Sequence, residues 1–364
     1  MTTVALLLRE GRAALAAAAI EQPRREARIL LEAATGLDRS ALLTSDGWKV
    51  GADTEAHYRA WIARRAHREP MAYILGSVEF WSLDFAAAPG VLVPRADSET
   101  LIEAAIARFQ DQSRPLRLLD IGVGTGCLLL TLLHHYREAS GVGTDLSPAA
   151  LTCAAGNAQR LGVADRLELV ATSWASGVAG PFDLVVSNPP YIRSAEIATL
   201  QPEVACYEPR LALDGGADGL DAYRAILGGL PRLLATEGIV ILELGHDQLA
   251  DVTALATRAG YTAMAHSDLA GIARCLILVP ARRATARPAW LRGLPLLALL
   301  AACGGAAEST EAPALPNPAA RHCVEQGGKS EIVQEPGGWR GVCRFPDGRA
   351  CDEWQFPRAG ICSG

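Results

Sequence analysis

The sequence predicts an α/β fold: a largely parallel sheet with helices on both faces, preceded by a small helical segment and followed by a cysteine-rich tail. Three observations carry this. From residue 116 onward, short apolar runs alternate with helical patterns. The first of those runs leads straight into a glycine-rich turn. Before residue 75 the apolar residues recur at helical spacing instead. The chain has 364 residues, which at about 150 per domain suggests two or three domains. Half of the residues are hydrophobic and 20% are charged, which excludes global disorder.

In order along the chain, Leu6, Leu7, Ala14, Leu15 and Ala18 mark a first helix. Pro23 suits the first turn of a second, Arg24 to Ala34, stopped by Thr35-Gly36. Asp53 to Glu69 reads as a third, ended before Pro70. Residues 1–75 are expected to be a helical substrate-binding domain. Residues 76–95 are rich in aromatic and β-branched residues and include Pro89-Gly90. They read as a β-hairpin connector. Within residues 96–284, strands are predicted at Leu116–Ile121, Gly141–Asp145, Leu167–Ala171, Asp183–Ser187, Gly238–Leu244 and Cys275–Val279. Helices are predicted at Cys127–Tyr136 and Pro148–Leu161. Residues 285–316 read as linker, and residues 317–364 as a small α+β domain rich in cysteine.

The net charge is −6. Residues 1–85 carry eleven basic and eleven acidic side chains, and residues 86–284 carry 15 and 21. Neither segment offers the basic surface that gripping nucleic-acid phosphates requires. No secretory signal is read at the start, and no run reaches the roughly 20 apolar residues of a membrane span. Cys127, Cys153, Cys206 and Cys275 occur singly in apolar or helical surroundings, which suits a reducing compartment. A cytoplasmic, monomeric protein is therefore expected for residues 1–284.

Two motifs carry chemistry. Asp120-Ile-Gly-Val-Gly-Thr-Gly126 follows a strand and opens a helix, so its glycines let a ligand approach the backbone closely. Its spacing is not the dinucleotide G-x-G-x-x-G. Asp145 ends the next strand, where an acid can accept hydrogen bonds from ribose hydroxyls. Asn188-Pro189-Pro190-Tyr191 ends another strand. Two prolines make a stiff turn that exposes carbonyls, and an Asn oxygen beside a free carbonyl can hold both hydrogens of an –NH₂ group.

Together these residues resemble the class I S-adenosylmethionine-dependent methyltransferases that modify planar nitrogens. Further segments resemble the release-factor glutamine methyltransferases in particular. They are Tyr73-Ile-Leu-Gly-Ser-Val-Glu-Phe-Trp81, Pro89-Gly-Val-Leu-Val-Pro-Arg95, Glu208-Pro-Arg-Leu-Ala-Leu-Asp-Gly-Gly-Ala-Asp-Gly-Leu-Asp-Ala-Tyr223, Leu242-Glu-Leu-Gly245 and Asp268-Leu-Ala-Gly271. The resemblance covers residues 1 to about 280. It implies a Rossmann-like sheet of seven strands and N5-methylation of the glutamine in the Gly-Gly-Gln loop of class 1 peptide-chain release factors. It further implies that Gly122, Val123, Gly124, Thr125 and Gly126 cradle S-adenosylmethionine, that Asp145 binds its ribose and that Trp174 packs on its adenine. Asn188 would bridge donor and substrate, with the Pro189 carbonyl, Pro190 and Tyr191 completing the catalytic turn, and Tyr191 packed on the amide plane. Arg95 and Glu99 would form a pocket lip. Two positions depart from the family pattern: Ala96 stands where a proline is common, and Ser173 where an acid is common. A DNA or RNA amino-group methyltransferase would share the tetrapeptide, but it needs a basic target-reading surface. A non-catalytic envelope protein fits poorly with motifs this intact.

His134-His135 point in different directions on a helix, and neither Cys-x-x-Cys nor His-Glu-x-x-His occurs, so no metal is expected. His246 and Asp247 read as surface residues. In the tail, Leu300-Ala301-Ala302-Cys303-Gly304 looks like a bacterial lipoprotein signal, with Cys303 as the lipidation candidate. Asn317–Gly328, Phe345–Gly348 and Cys351–Trp354 resemble a small bacterial lipoprotein domain of unknown function, sometimes labelled hemolysin. Glu331–Glu335 and Trp339–Phe345 read as a hairpin. Cys323, Cys343, Cys351 and Cys362 allow three disulfide connectivities. A reducing-compartment enzyme joined to an exported, oxidised domain suggests two neighbouring genes read as one.

Overall fold

The computed structural model describes residues 2–44, 47–268, 270–281, 326–335, 338–347 and 349–352. The chain divides into two units, residues 1–293 and 294–364. The lipoprotein-like run with Cys303, and also Cys323 and Cys362, lie outside the described residues. Among the described residues no helix is long and apolar enough to cross a membrane.

The first unit opens with helices α1 (Val4–Ala17), α2 (Pro23–Thr35), α3 (Arg39–Thr44), α4 (Ala52–Ala66) and α5 (Met71–Leu75). Thr3 caps α1 through its hydroxyl, Pro23 opens α2, and Gly36 ends α2 in the left-handed region. Their apolar faces meet in one cluster that includes Leu7, Leu15, Leu30, Leu31, Tyr58 and Ile62. Tyr58 donates to the Leu7 carbonyl from inside that cluster. The three long helices α1, α2 and α4 are thus as expected, while α3 and α5, of six and five residues, are under two turns and too short for an apolar period to announce them.

Strands β1 (Ser77–Phe80) and β2 (Leu83–Ala86) form the connector hairpin. The hairpin closes at Trp81-Ser82, and the expected Pro89-Gly90 turn follows β2, with Val91 N donating to the Ala88 carbonyl. Trp81 and Ser82 both have positive φ, 52° and 60°. That twist matches the strands, as in primed two-residue turns, although side chains disfavour it. Glu99 offsets the strain by accepting from the Trp81 N–H at 2.8 Å.

The sheet is built from β3 (Arg117–Ile121), β4 (Ser140–Asp145), β5 (Leu167–Ala171), β6 (Phe182–Ser187), β7 (Leu234–Glu243), β8 (Tyr261–Ser267) and β9 (Ala273–Pro280), in the order β5-β4-β3-β6-β7-β9-β8. Five strands are parallel, and β9 and β8 add antiparallel at one edge. The edge strand β8 escapes a sequence reading because its inward positions include alanines and its other face mixes Thr262 and His266 with an exposed Met264, so no apolar alternation marks it. Helices α6 (Glu99–Arg108), α7 (Cys127–His135) and α8 (Pro148–Arg160) cover one face, where Leu118, Leu184 and Ile241 point. Helices α10 (Asp221–Leu233) and α11 (Leu249–Arg258) cover the other, over Leu119, Val185 and Leu242. The alternation along each strand places neighbours on opposite cores. A short α9 (Pro202–Tyr207) follows β6.

Asn157 of α8 pins the hairpin to the sheet. It is fully buried, accepts from Ala86 N, and donates to the carbonyls of Ala86 and Thr125. Asn157→Ala would strand these backbone groups. It is expected to lower the unfolding free energy by about 2–3 kcal/mol in urea denaturation. An unchanged midpoint would show that the bonds contribute nothing net.

In the second unit, β10 (Lys329–Glu335), β11 (Gly338–Arg344) and β12 (Ala350–Asp352) form an antiparallel sheet. This matches the expected hairpin and adds a strand. Cys343 and Cys351 are buried and disulfide-bonded.

Candidate active site

The strand order reverses at β3, which has β4 on one side and β6 on the other. A crevice opens outside the carboxyl ends of strands at such a point. The main pocket lies there, and both sequence motifs line it.

The glycine turn has φ of 83°, 54° and 85° at Gly122, Gly124 and Gly126. A Cβ at Gly122 or Gly124 would meet nothing within 4 Å, so these glycines serve conformation and leave the pocket floor open. Gly126 differs. It is absent from the pocket wall, it caps α7, and a Cβ there would strike Leu130 at 2.7 Å. Its demand is packing as well as conformation. Val123 and Thr125 line the wall with Leu128.

Asp145 lines the pocket and is held by two backbone donors, Gly124 N at 3.0 Å and Ser147 N at 2.8 Å. Trp174 lines it too, with φ of 54°, in a region a residue with a Cβ enters at a cost. Ser173 beside it is exposed.

Asp120, which opens the glycine motif, lines the pocket while being 1% exposed, a place the motif alone does not reveal. Its Oδ1 has no hydrogen-bond partner. Burial, and then the charge of Asp145, push its carboxyl well above the ordinary range. The wall also carries Asp214 and Asp221, and no Arg or Lys belongs to it among the described residues. Asp214 and Asp221 are paired with Arg210 and Arg224, so the charge at the wall that no arginine pairs is that of Asp145 and, when ionised, Asp120.

Of the tetrapeptide, Asn188 and Pro190 reach the wall. Asn188 donates through Nδ2 to Ser98 Oγ at 3.1 Å. Among the described residues nothing donates to its Oδ1 or to the Pro189 carbonyl. Tyr191 is not in the wall. Its hydroxyl donates to Glu243 at 3.2 Å, and its carbonyl accepts from Gln248 at 2.9 Å. Burial, and then the charge of Glu243, raise its pKa, so the hydroxyl keeps its proton.

The expected lip residues are occupied elsewhere. Arg95 pairs with buried Glu208 at 2.5 Å, and Glu99 holds the hairpin turn. Gly90, Val91, Leu92 and Pro94 line the pocket in their place. Sequence reasoning missed Ser98 and Glu243 as well. The signal for Glu243 was available: an acid ending the apolar strand Ile239–Leu242 at its carboxyl end.

Comparison with known proteins adds the following. Residues 7–76 match the model of the PrmC N-terminal domain, and residues 95–204 that of the methyltransferase small domain. Residues 314–359 match a domain of unknown function, DUF333. The release factor glutamine methyltransferase of Rhodospirillum rubrum is 45% identical over 283 residues, covering 78% of this chain and 86% of that protein. The protein of that name in Bradyrhizobium diazoefficiens is 46% identical over 269 residues, covering 72% and 90%. Among solved structures, a release factor-specific protein-(glutamine-N5) methyltransferase of Alicyclobacillus acidocaldarius is 27% identical over 54% of this chain and 99% of that one, with a TM-score of 0.33.

Proposed function

The chain belongs to the release factor glutamine methyltransferases, and we propose how its pocket carries out that reaction: methyl transfer from S-adenosylmethionine to the side-chain amide of the Gly-Gly-Gln glutamine in a class 1 release factor. The observation that carries this reading is Asn188 at the pocket wall with its Nδ2 already spent on Ser98, and with no donor to its Oδ1 or to the carbonyl of the next residue, Pro189, among the described residues.

The residues fit the donor. Gly122 and Gly124 leave room for close approach to the loop backbone. Asp145 offers its carboxylate to the ribose hydroxyls, and Trp174 its face to the adenine. The orphaned Asp120 Oδ1 would hold the ammonium of the methionine part. An ammonium there supplies the missing hydrogen bond and lowers the carboxyl's pKa. When bound, the donor supplies an activated methyl group on a sulfonium.

The protein's task is then positioning and electrostatics. An amide nitrogen is a poor nucleophile because its lone pair is delocalised into the carbonyl. Asn188 Oδ1 and Pro189 O would take one N–H each, holding the amide plane and aiming the nitrogen. Methyl transfer would leave the nitrogen with one proton too many, and that proton would pass to solvent water, since Asn188 Oδ1 and Pro189 O accept hydrogen bonds but are too weakly basic to keep it. Tyr191 serves from behind, through Glu243, instead of stacking on the amide.

The test is transfer of labelled methyl by the full chain to a purified release factor, to its loop Gln→Ala variant, and to a DNA/RNA pool. Label on the intact release factor alone supports the reading. Label on nucleic acid would replace it with the amino-group methyltransferase alternative.

A further inference from the structure

We propose that Glu243 and Ser98 are positioning residues that fix the orientation of the Asn188 amide, so that an acceptor and not a donor faces the substrate. The inference rests on the reading above. Its basis is proton counting along a buried chain of hydrogen bonds.

Glu243 ends β7 and is 2% exposed. Its Oε2 accepts from Ser98 Oγ at 2.5 Å, and its Oε1 accepts from Tyr191 Oη at 3.2 Å. An ionised carboxylate only accepts, so the one proton of Ser98 is committed to it. The Ser98 oxygen can then only accept, and it accepts from Asn188 Nδ2 at 3.1 Å. With Nδ2 so engaged, Oδ1 must face the pocket. A flipped Asn188 would present –NH₂ to the substrate –NH₂, donor against donor. One carboxylate therefore sets both ends of the tetrapeptide. A second layer holds the frame: Tyr223 donates to the Glu243 carbonyl, and Gln248 clamps the Tyr191 carbonyl.

The relay depends on the charge of Glu243. A protonated Glu243 can donate to Ser98, which frees the serine proton to turn toward Asn188 and permits the flip. The groups facing Glu243 are Asp97 and Ser98 before α6, Arg274 and Cys275 on β9, Tyr191, Tyr223 on α10 and Cys127 on α7. Burial first, and Asp97 in addition, hold its carboxyl near 7 against the pull of Ser98, Tyr191 and Arg274.

The experiment compares full-length wild type, Glu243→Gln, Ser98→Ala, Ser98→Thr and the double variant Glu243→Gln/Ser98→Ala. Methyl transfer is measured from pH 6 to 9 on whichever acceptor the wild type modifies, and donor affinity is measured by calorimetry. Glu243→Gln and Ser98→Ala should each lower kcat by about tenfold to 10²-fold, with donor affinity within about twofold. The double variant should be no worse than the singles, and Ser98→Thr should recover most of the rate. The wild-type rate should climb through pH 7, and that limb should vanish in Glu243→Gln. Ser98→Ala at wild-type rate, additive losses, or a limb that persists in Glu243→Gln would each overturn the relay. A wild type that labels nucleic acid would remove the release-factor reading and leave the relay to be judged on the same variants. Slow solvent exchange of the Asn188 Nδ2 protons, lost in Ser98→Ala, checks the orientation with no acceptor present. Equal exchange in the two proteins would count against it.

Discussion

Asn188→Ala is expected to lower kcat for methyl transfer by about 10²–10³-fold while leaving donor affinity within a few-fold. The expectation follows from what the side chain touches. Its Nδ2 is spent on Ser98, and its Oδ1 faces the pocket with no partner among the described residues. Alanine removes one of two acceptors for the substrate amide. The Pro189 carbonyl alone can hold one N–H, which leaves the amide free to rotate about that bond. Productive alignment becomes rare, and the loss falls on the transfer step. On the proposed reading the donor would be held by other parts of the pocket wall: the Gly122–Gly124 turn, Asp145 and Trp174. Calorimetry of donor binding beside single-turnover methyl transfer separates these effects. A rate within threefold of wild type would remove Asn188 from the mechanism. A parallel collapse of donor affinity would move its role to donor binding.

The sheet and its site end were legible in the sequence because the evidence is local. A short apolar run followed by Gly-x-Gly-x-Gly announces both a strand and its ligand-facing terminus, and β3 with residues 122–126 sits as read. The same holds for Asp145 and Asn188, which stand at the carboxyl ends of largely apolar runs, Asp145 as the last residue of its strand and Asn188 just past its own. What sequence could not give was partnership at a distance. Ser98 and Glu243 are 145 positions apart and meet only because α6 packs across β7. Arg95 is placed near the pocket by the family resemblance alone, and its neighbour Pro94 does line that pocket. Arg95 turns away to neutralise Glu208, a buried acid 113 positions later. Pro89-Gly90 is a turn, as its residue types announce, but the hairpin itself closes at Trp81-Ser82, where Glu99 supplies a bond that no local pattern shows.

The second large effect expected is that Glu243→Gln stabilises the folded protein while it weakens transfer, and that the gain grows with pH. The carboxyl's ordinary value of 4.5 is raised to about 7 in the fold, with burial the leading cause. Below pH 4.5 the group is protonated in both states and contributes no pH dependence. Between pH 4.5 and 7 the unfolded chain has released its proton while the folded chain keeps it, so the folded state binds more protons and stability falls as pH rises. Above 7 both states are ionised, and the full penalty, about 3 kcal/mol, is in place. Glutamine has no such titration. The difference between the two proteins' unfolding free energies should therefore be level to pH 4.5, slope to pH 7 and then plateau. Urea denaturation at half-unit pH intervals measures it, and taking the difference cancels the contribution of buried Asp120, which titrates alike in both. A level difference across the whole range would mean that the carboxyl ionises in the fold as freely as in water. The transfer rate should run the other way through the same interval, because only the ionised form commits the Ser98 proton. Folding favours the acid and the reaction favours its conjugate base. A charge kept where it costs the fold several kcal/mol is hard to account for as packing, and a role in orienting Asn188 supplies the reason.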